Sequence, residues 1–562
     1  MKVTLCYPAL IPGHKPKYGL QPLGVLYIAA VLRREGFEVQ VLDADVDGLT
    51  VEEMAQRILD SKPDLVGLSL MTPQLISALA VSTLLKQIRP DLPIGLGGAH
   101  VDSTKGDVFE MANCFDFAVH GEGETTLLEI CQKMESLGSA SAAQYCEGVP
   151  NAIYRSAEGT VVVNPARTFT KELDEFPRVD YDLLDITQYS IPTMAGKYVI
   201  SMMLSRGCPF KCTFCDAPQT MGKKLRFWSL ERIIDDIRFY KEKYGCSNFV
   251  FKDSTFTANK KWAAKFCNAL LDAGLDIKWR CNTRVNLVPP ELLNLMAKAG
   301  CYVINFGVES GHPEVLKRIQ KEVDLDDVVD AFERCRKLSI RTYATFLMGN
   351  PGETGETAQA TLDFAKRIRA SLCMFFVSTA YPGTPMYDEA LVDGTVEPRW
   401  WAKQNWDPSK HSAFQVRWGW TNAGALKIPG FDSEHWQRRA TREWYFRPRF
   451  ISDTLTFTVK NPYFIRHLWN LGTEVIPFYK LRNLFPKRRI SEGERADMMQ
   501  RCPSAGTWSY RPRPGVLRGG HALGPSRARS RGQAPAGMPH EPTAVAASTA
   551  GAPQRTSLPI VH

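Results

Sequence analysis

Between Tyr198 and Ala380 the sequence repeats one unit six times: a short apolar run, a polar or glycine-rich loop, then a stretch with apolar residues at helical spacing. The runs are Tyr198 to Leu204, Asn248 to Phe251, Ile277 to Cys281, Tyr302 to Val308, Arg341 to Met348 and Leu372 to Ala380. Such alternation is buried most readily as parallel strands with helices outside, because a right-handed crossover returns each strand beside the last. Six repeats predict an open (β/α)6 barrel over residues 197–390. Polar residues follow every run, at the strand ends where barrels of this kind carry their sites.

After the first run comes Cys208-Pro209-Phe210-Lys211-Cys212-Thr213-Phe214-Cys215, a C-x3-C-x2-C triple on a loop. Closely spaced thiolates hold iron–sulfur clusters, and three of them leave one iron of a cubane open. A zinc site would want a fourth ligand and usually paired C-x2-C spacing, and the next cysteine, Cys246, is not so paired. The segment resembles the cluster motif of radical S-adenosylmethionine (SAM) enzymes, whose open iron binds the amino and carboxylate groups of SAM. The resemblance implies Cys208, Cys212 and Cys215 as ligands of a [4Fe–4S] cluster. It also implies that Asp253, in Phe251-Lys252-Asp253-Ser254-Thr255-Phe256, lies beside the cofactor. Arg284, Glu309 and Ser310 would meet the carboxylate, ribose or amine of SAM, and Gly349 and Glu353 would lie near its adenine. No residue is singled out as catalytic.

Residues 1–150 read as a second α/β unit. Strands are predicted at Val3 to Tyr7, Glu38 to Leu42, Leu65 to Leu70, Ile94 to Leu96 and Phe117 to Val119, with helical patterns between them. This is the pattern of a doubly wound, Rossmann-like parallel sheet, in which ligands bind at the carboxyl ends of the strands. Those ends carry Ser69 and Thr72, Gly97-Gly98-Ala99-His100, and Gly121-Glu122-Gly123-Glu124. No G-x-G-x-x-G follows the first strand. The stretch Pro63-Asp64-Leu65-Val66-Gly67-Leu68-Ser69 with the later Gly-Glu-Gly-Glu resembles the cobalamin-binding domain found ahead of some radical SAM domains. That resemblance implies cobalamin contacts at Ser69, Thr72, Gly97, Gly98, Gly121 and Glu122. The D-x-H-x-x-G motif that supplies a lower histidine ligand is missing; His14 lies in the right loop but in the context Gly13-His14-Lys15. The corrinoid is expected to lack a protein histidine ligand, and His100 reads as a loop histidine.

Residues 151–196 read as a connector with a hairpin at Ala152 to Val163. Residues 391–490 are rich in tryptophan (Trp400, Trp401, Trp406, Trp418, Trp420, Trp436, Trp444 and Trp469) and read equally as a cap over the barrel mouth or as a packing unit. Pro477 interrupts Ile465 to Leu484 and argues against a membrane-surface helix there. Residues 505–562, rich in Pro, Gly, Ala, Ser and Arg, are expected to be disordered. That segment holds seven Arg and one Glu of a chain with net charge +9, so the rest carries only about +3. No basic face for nucleic acid is expected. No run of about 18 apolar residues exists. Fourteen mostly isolated cysteines and the absence of an export signal fit the cytoplasm.

The resemblance, which covers about residues 1–450, implies a cobalamin-dependent radical SAM methyltransferase. Its substrate would be a small molecule methylated at an unactivated carbon or phosphorus, as in antibiotic pathways that act on phosphinates, phosphonates or aminoglycosides. A low-potential donor, flavodoxin or ferredoxin, would supply electrons. Two rivals remain: an oxidative cyclase or rearrangement enzyme with the same cofactors, and a nucleic-acid methylthiotransferase. The latter needs a second cluster, for which Cys6, Cys114, Cys131 and Cys146 form no matching triple.

Overall fold

The structure is a computed structural model. It describes residues 1–460 except 17, 139, 192, 193, 195, 197 and 404–423. Trp406, Trp418, Trp420, Trp469, the segment 465–484 and the tail 505–562 lie outside the described residues.

The N-terminal sheet has seven strands in the order β2-β1-β3-β4-β5-β6-β7. These are β1 Lys2–Tyr7, β2 Glu38–Asp43, β3 Leu65–Ser69, β4 Ile94–Gly97, β5 Phe117–Val119, β6 Ala152–Arg155 and β7 Val161–Val163. The first five are parallel. The hairpin expected in a connector is present, but it is part of this sheet: β6 pairs antiparallel with β5 and β7 with β6. The reason is the edge of β5, whose backbone groups need partners that a free hairpin can provide. A second difference follows β5. Gly121 to Glu124 is not all loop, because Gly123 opens a helix, Gly123–Leu137, that buries Leu127, Ile130 and Cys131.

The second sheet has six parallel strands in the order β15-β14-β13-β12-β11-β8. Here β8 is Ile200–Met202, β11 Asn248–Phe251, β12 Lys278–Thr283, β13 Cys301–Glu309, β14 Arg341–Met348 and β15 Leu372–Val377. A two-residue ladder, β9 Ser205–Arg206 with β10 Arg226–Phe227, brackets the cysteine loop. Each strand is followed by helix, as the repeats predicted. Alternate residues go to opposite faces. Phe249, Phe251 and Trp279 pack outward with Phe266, while Val250 and Val303 face inward with Ile191 and Val199.

The two end strands of this sheet, β8 and β15, do not pair with each other. Side chains satisfy their edges instead. On β8, the Gln21 amide donates to Val199 O (2.7 Å) and accepts from Ser201 N–H (3.0 Å). On β15, Gln437 Nε2 donates to Phe375 O (2.8 Å) and the Tyr445 hydroxyl to Cys373 O (2.8 Å). Gln437 and Tyr445 belong to the helix Ser433–Tyr445, which Asp432 caps at its N-terminus. The described part of the tryptophan-rich region therefore packs more than it covers. Trp444 is buried and donates to Ala365 O. Trp401 reaches the first domain, donating to Asp107 Oδ2 (2.8 Å). Thr441 and Tyr445 do border the internal cavity described below.

One hydrophobic cluster runs from Val3 and Leu26 to Phe346 and Phe375, so the two sheets share a core. Among the described residues all thirteen cysteines are free, and no helix is long and apolar enough to cross a membrane. Replacing Gln437 by Leu removes the donor for a buried edge carbonyl, so urea unfolding is expected to show a loss of about 1–3 kcal/mol.

Candidate functional site

The cysteine loop is fixed from both sides. Arg206, two residues before Cys208, has a 7% exposed side chain and faces two carboxylates of the first domain. Its Nη1 donates to Glu122 Oε1 (2.9 Å) and its Nη2 to Glu124 Oε1 (2.6 Å). Arg226, its partner across β9 and β10, donates to the same Glu122 oxygen at 2.8 Å. The rings of Tyr27, Phe176 and Trp228 surround the Arg206 guanidinium at 4.9–5.5 Å. Burial disfavours the Glu122 carboxylate, but the two guanidinium groups outweigh it and hold its pKa below the usual range. Glu122 borders the central cavity, yet its Oε1 is engaged in this bridge and its Oε2 accepts from Thr170 N–H (3.0 Å), so neither is free for a ligand.

Within the loop, Cys208 is buried and Cys212 and Cys215 are half-buried. Cys208 N–H donates to Gly222 O (2.9 Å) and Thr213 N–H to Ile319 O (3.1 Å). Burial pushes the Cys215 thiol up to about 12, with the neighbouring Cys208 and Cys212 adding to the shift, so the three thiols share one electrostatic neighbourhood. Among the described residues no three Cys, His, Asp or Glu converge as they would on a single metal ion. A cubane differs in spreading its ligands over separate irons. Arg284 Nη1 lies 3.2 Å from Cys212 Sγ and its guanidinium 4.2 Å from the Phe210 ring. Thr255 Oγ1 lies 3.8 Å from Cys208 Sγ. The donor set and its surroundings fit an iron–sulfur cluster.

The other strand-end residues divide. Asp253 accepts from the Ser205 hydroxyl at 2.5 Å, and its Oδ2 is buried without a partner. Burial pushes its carboxyl up to about 6. Glu353 Oε2 accepts from Gly349 and Asn350 N–H, while its Oε1 is likewise unpartnered. Burial pushes that carboxyl up to about 7. These orphaned oxygens are acceptors in want of a donor. Glu309 and Ser310, in contrast, are already engaged: Glu309 pairs with Lys321 at 3.0 Å, and Ser310 bonds Thr361 and His312 N–H.

Between the two sheets lies a cavity of about 870 Å³. Ser69, Gly97, Gly98, Gly121 and Glu122 line one wall. Thr72 does not; its hydroxyl lies 3.1 Å from Nδ1 of the buried His100. His14 and His100 both lie off the cavity. Two further glycines, Gly67 and Gly95, sit side by side on β3 and β4 and extend the space toward Leu5, Phe117 and Leu127. A Cβ on Gly95 would lie 2.4 Å from the Phe117 ring, and one on Gly98 (φ +95°) 2.7 Å from Leu70 O. A glycine inside an apolar strand is the signal for close approach that could have marked Gly67 and Gly95 beforehand. The opposite wall comes from Met203, Lys252, Arg280, Asn305, Tyr343, Thr345 and Phe376. The slot and the strand-end glycines fit a large flat cofactor with a tail.

Comparison with known proteins agrees. Residues 202–365 match the radical SAM superfamily and residues 10–131 the B12 binding domain. A protein of Pyrococcus horikoshii described as an uncharacterized methyltransferase is 30% identical over 456 residues, covering 80% of this chain and 94% of that one. The chain belongs to the radical SAM enzymes that carry a B12-binding domain. The cofactors of this family are a [4Fe–4S] cluster, SAM and cobalamin. An anaerobic magnesium-protoporphyrin IX monomethyl ester cyclase of Rubrivivax gelatinosus is 28% identical over 398 residues, 69% of this chain and 70% of that one. Among solved structures, the radical SAM methyltransferase TsrM from Kitasatospora setae shares the fold. It has a TM-score of 0.59 and 19% identity, over 80% of this chain and 89% of that one.

Two outcomes follow for this family member. Arg206→Met deprives buried Glu124 of its guanidinium and is expected to cost about 3–5 kcal/mol in urea unfolding, with Glu124→Gln added in the same chain recovering much of it. Asp43, on the cavity wall, bonds the Tyr189 hydroxyl at 2.8 Å, and burial pushes its carboxyl up to about 7. An acid whose pKa rises on folding stabilises fully below its unfolded range and loses that contribution as pH climbs through the folded value. Stability is therefore expected to fall between about pH 4 and about pH 7, and Asp43→Asn to flatten part of that fall.

Proposed function

We propose that the chain is a cobalamin-dependent radical SAM methyltransferase acting on a small molecule. The observation that carries this reading is the single continuous cavity, walled by the B12-domain strand ends on one side and the inner face of the barrel on the other. One space serves methyl donor and acceptor together, and the methyltransferase relative spans nearly its whole length. When bound, the cluster and SAM supply a carbon-centred radical for hydrogen abstraction, and cobalamin supplies the methyl group.

The protein's own residues hold these partners in register. Cys208, Cys212 and Cys215 ligate the cluster, and Arg284 beside Cys212 Sγ donates to a ligand sulfur, a contact that tunes cluster potential. Asp253 and Glu353 offer their orphaned oxygens to SAM beside the loop. Glu309, at the end of β13, and Ser310 and Gly349, just after β13 and β14, are the other candidates for contact with SAM. Ser69, Gly97, Gly98 and Gly121 would hold cobalamin, with the Gly67–Gly95 slot giving it room. No histidine is among the described residues that line the cavity. A specialised-metabolite substrate and a flavodoxin or ferredoxin as electron donor complete the reading.

A second reading, an oxidative cyclase with the same cofactors, is favoured by the cyclase relative. Anaerobic reconstitution tests both. The methyltransferase is expected to hold about four irons and one cobalt per chain, and to give methylated product with S-adenosylhomocysteine. A cyclised product with no methyl gained would favour the cyclase. Cys212→Ala is expected to reduce 5′-deoxyadenosine formation to background; retained cleavage of SAM would sink the cluster assignment.

A further inference from the structure

The cysteine loop is edged by lysines that the cofactor reading leaves unexplained. Three segments meet around Cys208. The first is the loop itself, with exposed Lys211 between Cys208 and Cys212. The second is Met221 to Phe227, with exposed Lys223 and Lys224. Gly222 O accepts from Cys208 N–H (2.9 Å), and Gly207 (φ +101°) has no room for a Cβ against Lys224 O, so the two backbones touch. The third is Asn259 to Lys265, with exposed Lys260, Lys261 and Lys265. It follows Thr255, whose Oγ1 lies 3.8 Å from Cys208 Sγ. Its Trp262 stacks on Phe227 of the second segment, ring centroids 4.6 Å apart.

These segments hold six lysines and no aspartate or glutamate. Their one arginine, Arg226, is buried and bonded to Glu122. Of the flanking acids, Asp253 is buried against Ser205, and half-buried Asp216 lies within electrostatic reach of Asp102 in the first domain. Helix stability does not account for the third segment. Lys260 and Lys261 open the helix Lys260–Asp272, whose first turn has no acid although the dipole there favours negative charge. Lys261 and Lys265 are an i, i+4 pair of like charge, which weakens a helix. Solvated lysines keep their charge, so the surface beside the loop carries a positive field that reaches about 8 Å at physiological salt. Such a field draws in a partner of opposite sign and orients it.

We propose that this lysine surface is the docking face for an acidic electron-carrier protein, a flavodoxin or a ferredoxin. The proposal rests on reading the cysteine triple as the ligand set of a cluster that takes its electron from outside the chain. One electron passes at each docking, the carrier being oxidised and the cluster reduced by one charge. The lysines do no chemistry beyond attraction and orientation. Electron-transfer encounters bury little area and are brief, so exposed charge around a short route inward suits them better than an apolar groove. The bond from Cys208 N–H to Gly222 O is such a route, leading from the lysine turn to a ligand cysteine.

The test uses the full chain reconstituted with iron and sulfide, and two probes: a purified acidic flavodoxin and a purified acidic ferredoxin. Calorimetry is expected to show binding of at least one, weaker by about tenfold or more when salt rises from about 0.05 M to about 0.3 M. A similar loss is expected in Lys223→Gln/Lys224→Gln and in Lys260→Gln/Lys261→Gln. Exposed Lys62 and Lys298 precede strands, at the opposite strand ends from the cysteine loop, and Lys62→Gln/Lys298→Gln is expected to keep binding within about twofold. Iron content, and 5′-deoxyadenosine formation driven by dithionite, should equal wild type in every variant, because a small reductant uses no docking face. Formation driven by the carrier should fall in step with its binding. Binding of neither carrier overturns the proposal, as does equal loss in the Lys62/Lys298 control. Unchanged carrier binding with loss of a short RNA or of anionic vesicles assigns the surface to that polyanion instead. A wild type that takes up no iron yet binds a carrier through these lysines keeps the surface and removes the cluster reading.

Discussion

The distance between the two halves of this protein is set by one buried guanidinium. Arg206 stands two residues before the first cluster cysteine, and its partners Glu122 and Glu124 open the last main helix of the B12 domain. Opposite charges shielded from water interact strongly and in a fixed geometry, so this bridge behaves as a strut. Everything that depends on the relative placement of the sheets inherits its precision: the width of the cavity, the direction of the cysteine loop, and the approach of one cofactor to the other. Glu122 is the N-cap of that helix and Glu124 lies in its first turn, where the helix dipole favours negative charge.

Much of the fold could be read from the sequence because it rests on local periodicity. The six strand–helix repeats and the five N-terminal strands follow from where apolar residues recur. The cysteine triple was equally legible, since its chemistry lies in contiguous spacing. What escaped detection depends on long-range pairing. Arg206 meets Glu122 across 84 positions of sequence, and nothing near either residue announces the other. The hairpin at Ala152–Val163 was visible as a hairpin, but its partner β5 was not. Glu309 and Ser310 looked like open polar strand ends; only the folded chain brings Lys321 and Thr361 to them. Arg280 read as an ordinary strand residue until the register put it on the inner face beside Val250.

The two walls of the cavity differ in chemical character. The B12-domain wall sets glycines and apolar side chains among carboxylates, such as Asp43, Glu122 and Glu124, that already hold protein partners, and its glycines admit a broad ligand by leaving room. The barrel wall adds, among Met203, Phe375 and Phe376, a lysine, an arginine, an asparagine, a tyrosine and a threonine that can make directional contacts. Small residues accommodate a large invariant group, whereas donors in fixed positions discriminate among small ones.

The unclosed barrel has a geometric consequence. In a fully closed barrel the bore follows from strand number and shear, and it cannot change without re-registering the whole sheet. Here the seam between β8 and β15 is occupied by side chains, Gln21 from the first domain and Gln437 with Tyr445 from a late helix. The bore is thus a property of how those neighbours dock, and it can be widened or narrowed by substitutions at the seam while every strand keeps its partner. A single scaffold of this kind can be fitted to substrates of different girth without rebuilding its sheet.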